Sequence, residues 1–265
     1  MAIVNLPRVA VPKPWGRYDL PPAFGNPKGR IGEIWFDDPS GDLPLLIKWL
    51  FTSEKLSVQV HPNDAQATAA GMARGKEECW IVIDAEPDAV LGIGTREPLS
   101  AEDLQRVASS GELESLIDWK PVRPGDWFHI APGTVHAIGA GVTLVEIQQN
   151  ADVTFRLYDY GRPRDLHLVD GAAVSKAEPY ADNRHGKLQP NADLQLLSSC
   201  PSFSVYYGED CSFESLNQPN YWLIPIQGSI AIGAVTYAAG SVLYGQSESE
   251  VLVSPDFSFL AAVAK

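Results

Sequence analysis

The feature that most constrains this chain is its punctuation: short apolar runs, each closed by glycine, proline or a charged turn. LLIKWLF (45–51), KLSVQVH (55–61), CWIVID (79–84), AVLGIG (89–94), DWFHIA (126–131), TLVEIQ (143–148) and VTFRLYD (153–159) all have strand length and strand composition. The 22 glycines and 21 prolines are scattered between such runs, where they interrupt any long helix. Strands this short and closely spaced must bury a face against other strands. The expected fold class is therefore mainly β, of sandwich or jelly-roll type.

Two stretches read as helix instead. One runs from Asp64 to about Arg74. The other is SAEDLQRVASSGELESLIDW (100–119), where Ser100 and Asp103 form a capping start and Leu104, Val107, Leu113 and Leu116 supply apolar spacing. The apolar pattern fades over 172–193, as in a linker, and a further series of short strands follows. The chain is thus expected to divide into an N-terminal unit, 1–171, a linker, 172–193, and a smaller β unit, 194–265. His61, His129, His136, His167 and His185 all precede residue 190, which places histidine-dependent chemistry in the first unit.

Lys and Arg number 20 against 33 Asp and Glu, a formal charge of −13. So acidic a surface repels polyanions, which argues against nucleic acid and anionic membranes as partners. A small phosphate can still bind where a few cations gather in one pocket. No segment approaches the roughly 18 apolar residues of a membrane span. Cys79, Cys200 and Cys211 are odd in number and lack CxxC spacing, which suits neither a disulfide framework nor a thiolate zinc site. The opening MAIVNLPRVAVPKPWG is broken by prolines and charges, unlike a signal peptide. A cytoplasmic location is expected.

The chemistry lies in three blocks. In KLSVQVH, alternation puts Lys55, Ser57, Gln59 and His61 on one face and Leu56, Val58 and Val60 on the other. The polar set is either the wet face of a half-buried strand or a barrel interior in which Gln59 and His61 reach one metal. In GKEECW (75–80), Lys76, Glu78 and Trp80 share a face. GDWFHIAPGTVHAIG (125–139) supplies two histidines around a Pro-Gly turn. His61, Glu78 and His136, from separate strands, make a recognised ligand set for a divalent transition metal. His129 competes with His136, although its position before the turn favours a structural role. In LVEIQQNADVTFRLYDYGR (144–162), Glu146 and Gln148 share a face, as do Thr154, Arg156 and Tyr158.

Taken in order, SVQVHPND, GKEECW and GDWFHIAPGTVHAIGAGVTLVEIQQNADVTFRLYDYGR, with GEIW (32–35) and LLIKWL (45–50) ahead of them, resemble type I mannose-6-phosphate isomerases (phosphomannose isomerases) in their short bacterial form. The resemblance runs from about Trp15 to Arg162. It implies a double cupin, two jelly-roll β-barrels with a small helical insertion in the N-terminal half and no metal ligands in the C-terminal barrel. The implied activity is zinc-dependent aldose–ketose isomerisation of mannose 6-phosphate and fructose 6-phosphate through a cis-enediol. One Zn²⁺ per chain would sit on Gln59, His61, Glu78 and His136, a donor set compatible with zinc. The resemblance also implies Arg156, Glu146 and Lys76 as catalytic residues, Ser57 as an active-site contact and Lys55 as a basic residue near the phosphate; the need for cations around a dianionic phosphate adds Arg162, with Lys76 and Lys55, as a candidate substrate contact. Ala151 and Phe155 depart from the serine and tyrosine common at those positions.

Two other readings use the same residues. His61, Glu78 and His136 alone match the ligand set of non-haem iron oxygenases, but Gln59 and the inward lysine and arginine argue against it. A non-catalytic sugar-binding cupin would keep the barrel and tolerate loss of Arg156.

Overall fold

A computed structural model describes residues 3–38, 43–190, 194–216, 218, 220–245 and 251–265 of the chain. The fold is mainly β, as expected, and among the described residues the paired strands run antiparallel. A seven-stranded sheet has the order His185–Lys187, Asp126–Ile130, Glu78–Ala85, Val142–Gln149, Leu45–Phe51, Ile31–Phe36 and Arg8–Arg17. A five-stranded sheet runs Phe155–Tyr158, Val58–Val60, His136–Ile138, Val90–Thr95 and Ile117–Pro121. Their inner faces meet through Leu50, Trp80, Val82, Ile93, Ile138 and Leu144.

Alternation decides what each outer face covers. Ile47, Trp49, Ile81, Val145 and Ile147 leave the outer side of the seven-stranded sheet and pack on Phe203, Val205, Trp222 and Leu260. Those four belong to a six-stranded sheet that includes Phe203–Glu209, Tyr221–Gln227 and Ser258–Ala264. Each such buried side chain contributes about 1.5–3 kcal/mol. On the far side, Val58, Val60, Ala137 and Leu157 pack on Leu104, Val107 and Ala172 of two helices, Ala101–Ser110 and Leu168–Val174. The site-bearing sheets are therefore clamped between a second β layer and a helical layer. Among the described residues no helix is long and apolar enough to cross a membrane.

Several local expectations are corrected. The helix expected over 100–119 starts as predicted, with the Asp103 N–H donating to Ser100 Oγ at 3.0 Å, but the chain turns at Gly111, whose φ is +85°. Its end, Ile117–Pro121, is a strand instead, in which the β-branched and aromatic Ile117 and Trp119 pair with Thr95 and Gly92. The first helix is only Asp64–Ala69, entered through an Asn63–Gln66 capping box. The strand expected over 55–61 is only Val58–Val60, so alternation does not carry back to Lys55. Within the stretch expected as a linker, the described residues 172–190 include the end of the helix Leu168–Val174 and the edge strand His185–Lys187, which pairs with residues 126–128; 191–193 lie outside the described residues.

Candidate metal centre and active-site pocket

Register builds the site from two opposing rows. In the five-stranded sheet Gln59 is directly opposite His136 on one side and Arg156 on the other. In the seven-stranded sheet Glu146 is directly opposite Lys48 on one side and Trp80 on the other, and Trp35 follows opposite Lys48. Cross-strand partners share a face, so each row points as a unit into the space between the sheets.

At one end of that space His61, Glu78 and His136 each offer a ligand atom, all within 4.8 Å of one another. The three side chains are essentially inaccessible to water. His136 Nδ1 donates to the Thr134 carbonyl at 2.8 Å, which leaves the lone pair of Nε2 facing the cluster. Gln59 brings its amide to 3.3 Å from that Nε2. A half-turn of the amide would present oxygen there instead. Both ring nitrogens of His61 and Glu78 Oε1 are buried without a hydrogen-bond partner. Glu78 Oε1 does lie 2.9 Å from Lys76 Nζ and 3.3 Å from His61 Nε2, so it is ion-paired at angles that make no hydrogen bond. Buried lone pairs without donors are costly unless something electropositive sits among them. The residues fit a divalent cation.

Their protonation suits that role. Burial, helped by Lys76, pushes the His61 imidazolium down to about 3, and burial also lowers His136. Both rings are neutral. Burial by itself would raise Glu78, but the Lys76 ammonium 2.9 Å away holds it well below the ordinary carboxylate value.

Beside the cluster opens a polar pocket of about 210 Å³ lined by Ser57, Gln59, Lys76, Glu146, Arg156 and Arg164, among others. Trp80 donates its single indole N–H to both Glu78 and Glu146, at 3.0 Å each. Burial and the charge of Glu78 raise the Glu146 carboxyl, with Lys48 Nζ 3.3 Å away pulling the other way. Two neighbouring carboxylates whose proton affinities are driven apart are the usual arrangement for separating ligand from acid–base duty.

The structure brings Ser57, Gln59, His61, Lys76, Glu78, His136, Glu146 and Arg156 to this cluster and pocket. It does not bring Lys55 or Arg162 there. Lys55 Nζ pairs with Glu114 at 2.6 Å, and Arg162 donates to Asp159 and to the Lys55 carbonyl. Both line a separate shallow cleft with Glu54 and Tyr160. His129 faces outward, where Nε2 meets Glu77 at 3.0 Å and Nδ1 meets Ser198 of the six-stranded sheet at 2.9 Å. Its role as a cross-layer tie agrees with the structural reading. Lys48, Glu33 and Lys13 line the pocket and escaped the sequence reading. The missed signal for Lys48 was a lone cation inside LLIKWLF, a run buried along its whole length, where a charge requires a partner.

Fold and site together define a β-sandwich protein with a buried two-histidine, one-carboxylate centre opening onto a charged pocket. No protein-family model matches the chain. It is 35% identical over 217 residues to a mannose-6-phosphate isomerase of Streptococcus mutans, covering 78% of this chain and 68% of that one. It is 34% identical over 242 residues to the mannose-6-phosphate isomerase ManA of Bacillus subtilis, covering 85% and 75%. Among solved structures, mannose 6-phosphate isomerase from Bacillus subtilis superposes with a TM-score of 0.79 at 24% identity, over 99% of this chain and 100% of that one. A zinc-bound mannose 6-phosphate isomerase superposes with a TM-score of 0.74 at 16% identity, over 100% of both. The chain belongs to the mannose-6-phosphate isomerase family.

Proposed function

We propose that this chain is a zinc-dependent aldose–ketose isomerase that interconverts mannose 6-phosphate and fructose 6-phosphate through a cis-enediol. The observation that carries the reading is the placement of Glu146, a buried carboxyl with raised proton affinity, in the same pocket as Gln59 and Arg156 and beside the His61–Glu78–His136 cluster. The names of the curated relatives and of the zinc-bound structure support the substrate and the metal.

Isomerisation moves one proton between C1 and C2 while negative charge builds on the adjoining oxygens. Glu146 is the group assigned to hold and return that proton. Such general acid–base help is typically worth about 10²–10⁴-fold. Gln59, His61, Glu78 and His136 would hold one Zn²⁺, which supplies a Lewis acid for that negative charge. Arg156 adds a fixed positive charge across the pocket, and Lys76 keeps Glu78 ionised. With the Gln59 oxygen turned to the metal, the amide nitrogen takes the place 3.4 Å from Ser57 Oγ, where the hydroxyl can accept from it and hold that orientation. Lys55 and Arg162, engaged with Glu114 and Asp159, are assigned to brace the rim.

On this reading the chemistry lies within 1–171, and 194–265 buttresses the outer face of the seven-stranded sheet. Buried Cys79 and Cys200, in no disulfide, support a reducing cytoplasm. The test is a coupled assay of mannose 6-phosphate conversion before and after chelation. Activity that disappears with the metal and returns with zinc is expected. A protein without this activity when zinc-loaded would overturn the reading.

A further inference from the structure

The cations of the pocket are not equally available. Lys13 pairs with Glu33 at 3.2 Å, Lys48 with Glu146 at 3.3 Å and Lys76 with Glu78 at 2.9 Å. Each lysine is neutralised by a neighbouring carboxylate. The arginine corner differs. Arg156 donates Nη1 to a neutral acceptor, the Asp165 carbonyl, at 2.8 Å, and its buried Nε has no hydrogen-bond partner. Arg164 lines the same pocket and is gripped from one side by Asp159, Nε to Oδ2 at 2.6 Å and Nη2 to Oδ1 at 2.7 Å. That grip leaves the two N–H groups of Nη1 outside it. The same carboxylate also receives Arg162 Nε and Nη2, at 3.1 and 2.8 Å.

One buried aspartate therefore serves two guanidiniums, with Arg156 close enough for both to oppose its charge. The other acids nearby, Glu54, Asp152 and Asp165, are exposed, so water and salt screen them. The loop is bent to hold this arrangement. Tyr160 and Gly161 are both left-handed, at φ +53° and +78°, and the Arg162 N–H closes the turn on the Asp159 carbonyl at 3.0 Å. For a residue with a Cβ, that region is sterically strained. The surrounding contacts must enforce it.

We propose that Arg164, aimed by Asp159, forms with Arg156 the corner of the pocket that takes the phosphate of the sugar phosphate. The assignment rests on the isomerase reading for the identity of the sugar, but not for the anion. A guanidinium whose other edge is already fixed gives phosphate a preset donor pair. Asp159 is a positioning residue, because it acts through Arg164.

The test uses the full, zinc-loaded chain with Arg164→Gln, Arg164→Lys and Asp159→Asn. Calorimetric titrations employ fructose 6-phosphate and inorganic phosphate, alongside KM and kcat for mannose 6-phosphate. Losing charge-assisted hydrogen bonds should raise KM and the phosphosugar Kd about ten- to a hundredfold in Arg164→Gln, with kcat changed only a few-fold. Asp159→Asn should move KM the same way, and Arg164→Lys should recover part of the loss. Phosphosugar affinity unchanged in Arg164→Gln overturns the proposal, even in an active isomerase. No binding of phosphate or phosphosugar by the parent protein overturns it as well. If the parent fails to isomerise mannose 6-phosphate yet binds phosphate in a way that Arg164→Gln abolishes, the anion corner stands and the isomerase reading falls. Should the glutamine variant not fold, Arg164→Lys decides: one ammonium cannot serve Asp159 and offer a second fork, so an unaltered KM there refutes the assignment.

Discussion

Lys48→Met removes a charge from the middle of the seven-stranded sheet while keeping most of the side-chain volume that lies against Trp35. Lys48 Nζ lies 3.3 Å from Glu146 Oε1, and both side chains are 5% exposed. At an effective dielectric of 20 that separation is worth about 5 kcal/mol of attraction, part of which offsets the burial of the two charges. Breaking a buried pair from one side costs about 3–5 kcal/mol when the orphaned charge stays ionised. Glu146 has an escape, because burial and Glu78 already raise its carboxyl above the ordinary 4.5. It can take up a proton, at about 1.4 kcal/mol for each pH unit above that value.

The sign follows. An acid whose folded pKa is raised binds its proton more tightly when folded, so stability falls as pH rises from the ordinary value toward the raised one. In Lys48→Met this interval widens, and the loss should grow by up to about 2.7 kcal/mol between pH 5 and pH 7. Urea unfolding of the metal-free protein at both pH values measures it. Equal losses at pH 5 and pH 7, or a loss under about 0.5 kcal/mol at pH 7, would mean that Lys48 and Glu146 are not an energetically coupled pair.

The two competing histidines should separate cleanly. His136→Ala should lose bound metal and turnover together, whereas His129→Leu should keep its metal and lose stability, by about 1–3 kcal/mol, through the lost bonds to Glu77 and Ser198; metal analysis with thermal melting checks both. Arg156→Ala should retain metal and fold while kcat/KM drops about 10²–10³-fold, through both kcat and KM, and unchanged steady-state kinetics would count against its role. Glu33, which burial would raise but Lys48 and Lys13 hold below 4.5, contributes stability that is present above that value and fades as pH falls through its lower folded one. Glu33→Gln should therefore flatten the acid limb of the stability curve below about pH 4.5, and a limb of unchanged slope would contradict the pairing.

That Gln59, Glu78 and His136 face one interior space was legible in the sequence for a physical reason. Gln59, Glu78, Trp80 and His136 lie on strands where a period of two fixes which side chains face inward, and a buried histidine or glutamate stands out against valine and isoleucine neighbours. Alternation failed where the strand stopped. Lys55 precedes Val58–Val60, so counting back by twos put it in the pocket, while the chain turns it toward Glu114. Lys48 was hidden in the opposite way, inside a run so apolar that its one charge looked incidental. Only the register that sets it across from Glu146 gives it a partner. Arg164 is bound to the pocket by a left-handed turn at Tyr160, a residue type that gives no local warning of that geometry. The helix expected over 100–119 failed for a related reason: its last residues have helical spacing, but an unpaired edge at Val90–Thr95 claimed them for a strand.

Strands from two sheets bring His61, Glu78 and His136, with Gln59, around a space that one divalent ion would fill. Anomalous diffraction from zinc-loaded crystals, recorded on either side of the zinc absorption edge, locates such an ion. A single strong peak enclosed by those four side chains is the predicted result. A zinc peak elsewhere, with the cluster empty, would contradict it.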